Sequence, residues 1–295
     1  MSLKNIEEIL AGLQSGQVVP YLGPGALVGS VNVTTGTPIP ADSDSLIFAM
    51  NNNQPMAPRL MYEFPRAAMH VELKRGRSFL SKFLTQLYGE TQWSRAPLHE
   101  WIEKIRPHYV IDINRDTQLQ DSYADIPHTM INGISRMAGT SYRFVIYNYD
   151  GQSYKEIDQN DVDPSLPILF KPMGTPRPDA NYIVSDADYV DYITELMGGF
   201  AIPSFLKEYR KDKQYLLIGM RLTRDTERMV MSDITYAAGT PRGWALIPEA
   251  TKKEQRYCER IGIDIIDAGV EELLAAINSE SSSIETQQRA LLANG

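Results

Sequence analysis

Apolar positions along this chain recur in two rhythms. Ile6, Ile9, Leu10 and Leu13 share helical spacing, and Gly16 is well placed to end that helix. The run QVVPYLG is short and continuously apolar, which predicts a buried strand, and GPGALVGS follows it at once. Residues 31–58 are rich in Thr, Pro, Asp and Asn and predict a long loop with one short helix around Leu46. A helix is predicted over 66–89, with Leu80, Phe83, Leu84 and Leu87 on its apolar face. PLHEWIEKIRP, a second amphipathic segment, leads into the strand YVIDIN. The alternation then repeats. ADIPHTMINGISRMAG predicts a helix before the strand YRFVIYNY, and ITELMGGFAIPSFLKEYRK one before QYLLIGM. ERMVMSDITYAAG precedes GWALIP in the same way, and KKEQRYCERIG precedes IDIID. A last short helix, VEELLAAI, leads to a polar segment.

Apolar strands separated by amphipathic helices predict an α/β protein, a three-layer Rossmann-like fold whose mainly parallel sheet is flanked by helices. No internal repeat or linker interrupts the alternation. One domain over 1–277 is therefore expected, with a polar C-terminal tail over 278–295.

Composition narrows the function classes. The 295 residues are 43% hydrophobic and 22% charged, an ordinary globular balance, with a net charge of -8. No Lys/Arg cluster tracks a phosphate backbone, so a nucleic-acid partner is not expected. The one cysteine, Cys258, excludes an internal disulfide and a zinc site built on cysteine pairs. The opening MSLKNIEEILAGLQSG reads as an amphipathic helix with acidic residues rather than a signal peptide. No apolar run approaches the ~18 residues of a membrane span. A cytoplasmic protein without a membrane partner is the expectation.

Candidate chemistry begins where the first strand meets GPGALVG. In open α/β sheets ligands bind at the carboxyl ends of the strands, near the switch in strand order. Glycines there allow backbone N–H groups to approach a pyrophosphate. The loop is not the ordinary dinucleotide fingerprint, because Val28 stands where the third glycine belongs. Nor does a Gly-Lys-Ser/Thr follow, as a Walker-type phosphate loop requires. Taken alone, the loop leaves a phosphate cradle and a plain strand-to-loop turn both open.

Three further segments sit at predicted strand ends: INRD (Ile113 to Asp116), KPMG (Lys171 to Gly174) and IGMRLTRD (Ile218 to Asp225). Their order after the glycine loop resembles the sirtuin-like family, specifically its zinc-free bacterial branch. That family's pattern runs Gly-Ala-Gly, Thr-Asn-Tyr-Asp, Lys-Leu-His-Gly and Gly-Tyr-Ser-Leu-x-Asp. The resemblance implies NAD or an ADP-ribose-type nucleotide as cofactor, and often NAD hydrolysis. Carried over, Gly23, Pro24, Gly25 and Ala26 form the loop facing the NAD phosphates. Asn114 and Asp116 match the catalytic pair beside the nicotinamide ribose. Met173 and Gly174 close the third motif, Gly219 approaches the adenosine half, and Asp225 and Arg228 match the polar residues that follow it. YNYD, at Tyr147 to Asp150, offers Asn148 and Asp150 as a competing pair. Asn114 is preferred because PLHEWIEKIRPHYVIDIN supplies the usual helix–strand lead-in.

Three departures bear on activity. Met173 stands where the family has a histidine, and a thioether cannot exchange a proton in the physiological range. Arg221 replaces a small hydroxyl residue, and either pairs with a phosphate or fills part of the pocket. Pro24 removes one N–H from the loop that should grip pyrophosphate. Zinc-dependent protein deacetylation lacks both its cysteines and its histidine. The resemblance therefore implies a small-molecule nucleotide partner with weak or absent NAD hydrolysis. Its alternatives are a working NAD glycohydrolase that uses Asn114, and an interaction scaffold that has lost its ligand. Domains of this branch often assemble, so a homo-oligomer is also expected.

Overall fold

The computed structural model describes residues 3–136 and 141–279. Helix α1 (Leu3–Gln14) leads into β1 (Val18–Leu22) and a 3-10 turn at Pro24–Leu27. Helices α2 (Ser43–Met50), α3 (Phe64–Arg75), α4 (Arg77–Thr85) and α5 (Pro97–Ile105) follow. Strand β2 (Tyr109–Asp112) and the single turn α6 (Gln118–Asp121) come next. Strands β3 (His128–Gly133), β4 (Phe144–Tyr149), β5 (Tyr154–Ile157) and β6 (Ile168–Lys171) then run in succession. The two-residue strands β7 (Gly174–Thr175) and β8 (Asn181–Tyr182) pair with each other. The chain continues through α7 (Asp186–Gly198), α8 (Ser204–Tyr209), β9 (Gln214–Ile218), α9 (Asp225–Ile234), β10 (Gly243–Leu246), α10 (Lys252–Ile261) and β11 (Ile263–Ile266). A last helix, α11, covers 270–279.

Nine strands form one sheet in the order β11-β10-β9-β1-β2-β6-β3-β4-β5. All neighbours from β11 to β3 are parallel, and only the β3–β4 and β4–β5 pairings at one edge are antiparallel. Side chains alternate across the strands, so each strand feeds two cores. Val19 and Tyr21 of β1, Tyr109 and Ile111 of β2, and Tyr215 and Leu217 of β9 pack under α7, α8, α9 and α10. Val18, Leu22, Val110, Leu216 and Ile218 face the other way, toward α1, α5 and α11. That is the predicted three-layer α/β arrangement, with a mainly parallel sheet buried on both faces. A third, smaller core joins α2, α3 and α4 through Ile47, Phe64 and Leu80. Among the described residues no helix is long and apolar enough to cross a membrane.

Three expected elements differ. The segment 66–89 is not one helix: Gly76, at φ +83, separates α3 from α4. The helix expected at ITELMGGFAIPSFLKEYRK breaks in the same way, at Gly199 (φ +83) and before Pro203. The segment ADIPHTMINGISRMAG holds a strand instead of a helix. His128–Gly133 is buried throughout between β6 and β4, and tertiary pairing decides its conformation. The end of that predicted helix, at 137–140, and the tail from 280 lie outside the described residues. Ser185 stands at the start of α7, where Asp188 accepts N–H bonds from Val184 and Ser185.

Candidate functional site

The chain leaves β1 to β2 on one side and returns to β9 on the other, so the order of strands switches at β1. Both loops at this switch begin with glycine. Gly219 ends β9 at φ +70, and a Cβ there would lie 2.5 Å from the Ala26 nitrogen. A Cβ on Gly25 would lie 2.7 Å from Gly219 Cα. The glycines therefore let two backbones touch. Three of the loop's donors are bonded inside the protein. Gly23 N–H donates to the Ile218 carbonyl at 2.8 Å, Gly25 N–H to the Gly219 carbonyl at 2.6 Å, and Ala26 N–H to the Gly23 carbonyl at 2.9 Å.

A cavity of about 860 Å³ opens beside this contact. Its walls come from the 24–30 loop, the 38–44 segment, the loop after β9 and the start of α11. Leu27, Ile39, Met220, Leu246 and Val270 make much of it apolar. A small cleft of about 60 Å³ adjoins it, lined by Glu63, Tyr88, Asn114, Arg115, Tyr189 and Glu227 among others. Pro24, Ala41, Ser43, Arg224 and Glu227 line both spaces. Burial pushes the Glu227 carboxyl up to about 7, Glu63 adds to the rise, and Arg224 and Arg228 oppose it. One of its oxygens, Oε2, is buried and has no hydrogen-bond partner among the described residues.

Behind the cleft lies a buried polar cluster. Lys171 Nζ donates to Asp112 Oδ2 at 2.6 Å, with both side chains fully buried. Asp112 Oδ1 accepts from the backbone and the side-chain amide of Asn114. The same Asn114 amide also donates to the Gly23 carbonyl at 2.9 Å, which ties β2 to the glycine loop. His99 is fully buried, and burial holds its ring down to about 4, so it stays neutral. Potential ligand atoms of His99, Asp112 and Asp116 lie within 4.8 Å of one another. A cation there would compete with the Lys171 ammonium already seated on Asp112.

The SIR2-like domain family model matches residues 108–266, which is 159 of the 295 residues. The chain belongs to the SIR2-like family. No curated protein sequence matches it. The matched region begins at the lead into β2 and ends with β11, so the glycine loop lies outside it. A family-level connection to NAD follows from that membership.

Within this SIR2-like fold the residues singled out by motif separate into groups. Pro24, Gly25, Gly219 and Arg221 line the larger cavity, and Asn114, with Pro24 again, lines the small cleft. Gly23 and Ala26 stand one layer behind, Ala26 in the core. Asp116 is 2% exposed; its Oδ1 accepts the Gln118 N–H, an Asx-type turn, and it lines neither space. Met173 is equally buried and packs in the sheet core, while Gly174 belongs to the β7–β8 pair. Asp225 and Arg228 pair with each other and line a separate groove of about 890 Å³ among α7, α9 and α10. Asn148 lies on β4, three strands beyond β2, and Asp150 closes a turn through Gln152 and Ser153. Arg221 stands in the cavity wall with its guanidinium already engaged. Its Nε and Nη2 hold the Glu254 carboxylate at 2.9 and 2.8 Å, and Nη1 donates to the Pro248 carbonyl. Glu63, Arg224 and Glu227 were not singled out by motif. In sequence Glu227 looks like an ordinary acidic residue in the first turn of a helix, and only packing shows it buried.

Proposed function

We propose that this SIR2-like domain binds NAD or an ADP-ribose-type nucleotide, with weak or absent NAD hydrolysis. The observation that carries the reading is the cavity of about 860 Å³ at the switch between β1 and β9. Open α/β sheets take their ligands at such a point, and sites for small molecules typically span about 300–1,000 Å³. Family membership supports a nucleotide of the NAD class as its occupant. Weak hydrolysis is supported by the side chains themselves. Met173 carries no exchangeable proton and is buried in the core, and the Asn114 amide is already held by Gly23 and Asp112.

Isothermal titration with NAD, ADP-ribose and AMP tests the binding half; no heat from any of the three sinks it. Nicotinamide release at high protein concentration tests the other half. Release that disappears in Asn114→Ala would make this a working glycohydrolase instead.

A further inference from the structure

The groove of about 890 Å³ among α7, α9 and α10 shares no lining residue with the cavity at the β1–β9 switch. Its sides differ in chemistry. Helix α10 contributes Lys252, Lys253, Arg256 and Arg260, and the Tyr257 ring has the guanidinium groups of Arg228 and Arg260 each 5.3 Å from its centroid. The α7 and α9 side carries Met197 and Met229, which are 73% and 45% exposed.

Lys252, Arg256 and Arg260 recur every fourth residue of α10, so they form one row about 12 Å long with neighbours about 6 Å apart. All three are exposed, and none forms an ion pair among the described residues. Like charges at that spacing repel. Lys252 and Lys253 also stand in the first turn of α10, where the helix dipole disfavours cations. The row therefore costs local stability, and it is a basic patch on a chain of net charge -8. On the α9 side Asp225 is paired with Arg228. Exposed methionines are flexible, polarisable contacts of the kind that receive the apolar face of a helix. A phosphate backbone would gain from the row but has nothing to place on the methionines, and it meets the acidic surplus of the whole chain. An acidic amphipathic helix suits both sides. Its carboxylates at every fourth position repeat at the same spacing of about 6 Å, and an adjoining apolar stripe covers Met197 and Met229.

We infer that the groove among α7, α9 and α10 docks an acidic amphipathic helix of a partner protein, its carboxylates on the Lys252–Arg256–Arg260 row and its apolar side chains on Met197 and Met229. This surface works independently of any nucleotide in the other cavity. The full chain is titrated, by fluorescence anisotropy, with a labelled helical peptide of about four turns that carries Glu at every fourth position and Leu on the adjoining stripe. A second peptide with Lys in place of each Glu, and a short DNA duplex, are run beside it. The acidic peptide should bind saturably and lose about tenfold in affinity between about 0.05 and about 0.3 M salt. Arg256→Glu should weaken it by about tenfold or more. Lys104→Glu makes the same charge change at an exposed position of α5, and should weaken it by less than about twofold. Of the 12 methionine methyl signals, those of Met197 and Met229 should shift most on binding. Arg256→Glu relieves repulsion within the row, so it should unfold in urea no earlier than the wild type. No binding of the acidic peptide up to about 1 mM overturns the inference, as does equal binding of the basic peptide or an equal loss in Lys104→Glu. Tighter binding of the duplex than of the acidic peptide overturns it in favour of a nucleic-acid surface.

Discussion

Glu227→Gln tests the electrostatics of the site without any ligand. An ordinary glutamate carboxyl titrates near 4.5, and that of Glu227 is pushed up to about 7 by burial. Glu63 and Glu254 reinforce the rise, while Arg224 and Arg228 oppose it. Between those two values the folded protein holds a proton that the unfolded chain releases. Stability therefore falls as pH rises through the window, and the full penalty is present above about 7. At about 1.36 kcal/mol per pH unit, the separation corresponds to about 3 kcal/mol, an upper bound because the side chain is partly exposed. Glutamine mimics the neutral acid and carries no such penalty. The variant should match the wild type in urea-induced unfolding at about pH 4.5 and exceed it by up to about 3 kcal/mol at about pH 8. Shared titrations cancel, since the comparison is made at each pH. A difference between the proteins that stays constant across this range would refute the reasoning, because a packing effect has no reason to follow the carboxyl.

Two other substitutions address how the site is held together. Lys171→Met leaves the fully buried Asp112 carboxylate without its cation and should cost about 3–5 kcal/mol in chemical unfolding. Adding Asp112→Asn should return a large part of that loss; a single variant tolerated within about 1 kcal/mol would mean that the pair does not neutralise Asp112. Gly219→Ala forces a Cβ to 2.5 Å from the Ala26 nitrogen at φ +70. Gly16 is the control, with φ +69 and nothing within 4 Å. Gly16→Ala should cost only the left-handed penalty of about 1–2 kcal/mol, and Gly219→Ala clearly more. Equal losses would show that the close approach of the two loops carries no weight.

Local pattern by itself determined much of this protein. Continuous apolar runs such as VVPYL, YVID and YLLI, each preceded by an amphipathic segment, specify a strand-helix alternation and hence a parallel sheet covered on both faces. The glycines at the ends of β1 and β9 were legible too, because a chain turning sharply out of a buried strand needs their conformational freedom. Tertiary structure alone decided the rest. His128–Gly133 is a strand because β6 and β4 hydrogen-bond to it from either side, and no periodicity within six residues records that. Gly76 breaks a helix that amphipathic spacing would carry straight through. The same division runs through the site. GPGA announces a loop able to offer donors, yet whether those donors are free depends on Ile218 and Gly219, which lie far away in the chain. Arg221 is a candidate phosphate ligand until Glu254 is folded against it, and Glu227 is an ordinary helix charge until packing removes its water. Sequence records which groups a chain carries. Which of them are already satisfied, and which are buried, depends on neighbours that only the fold supplies.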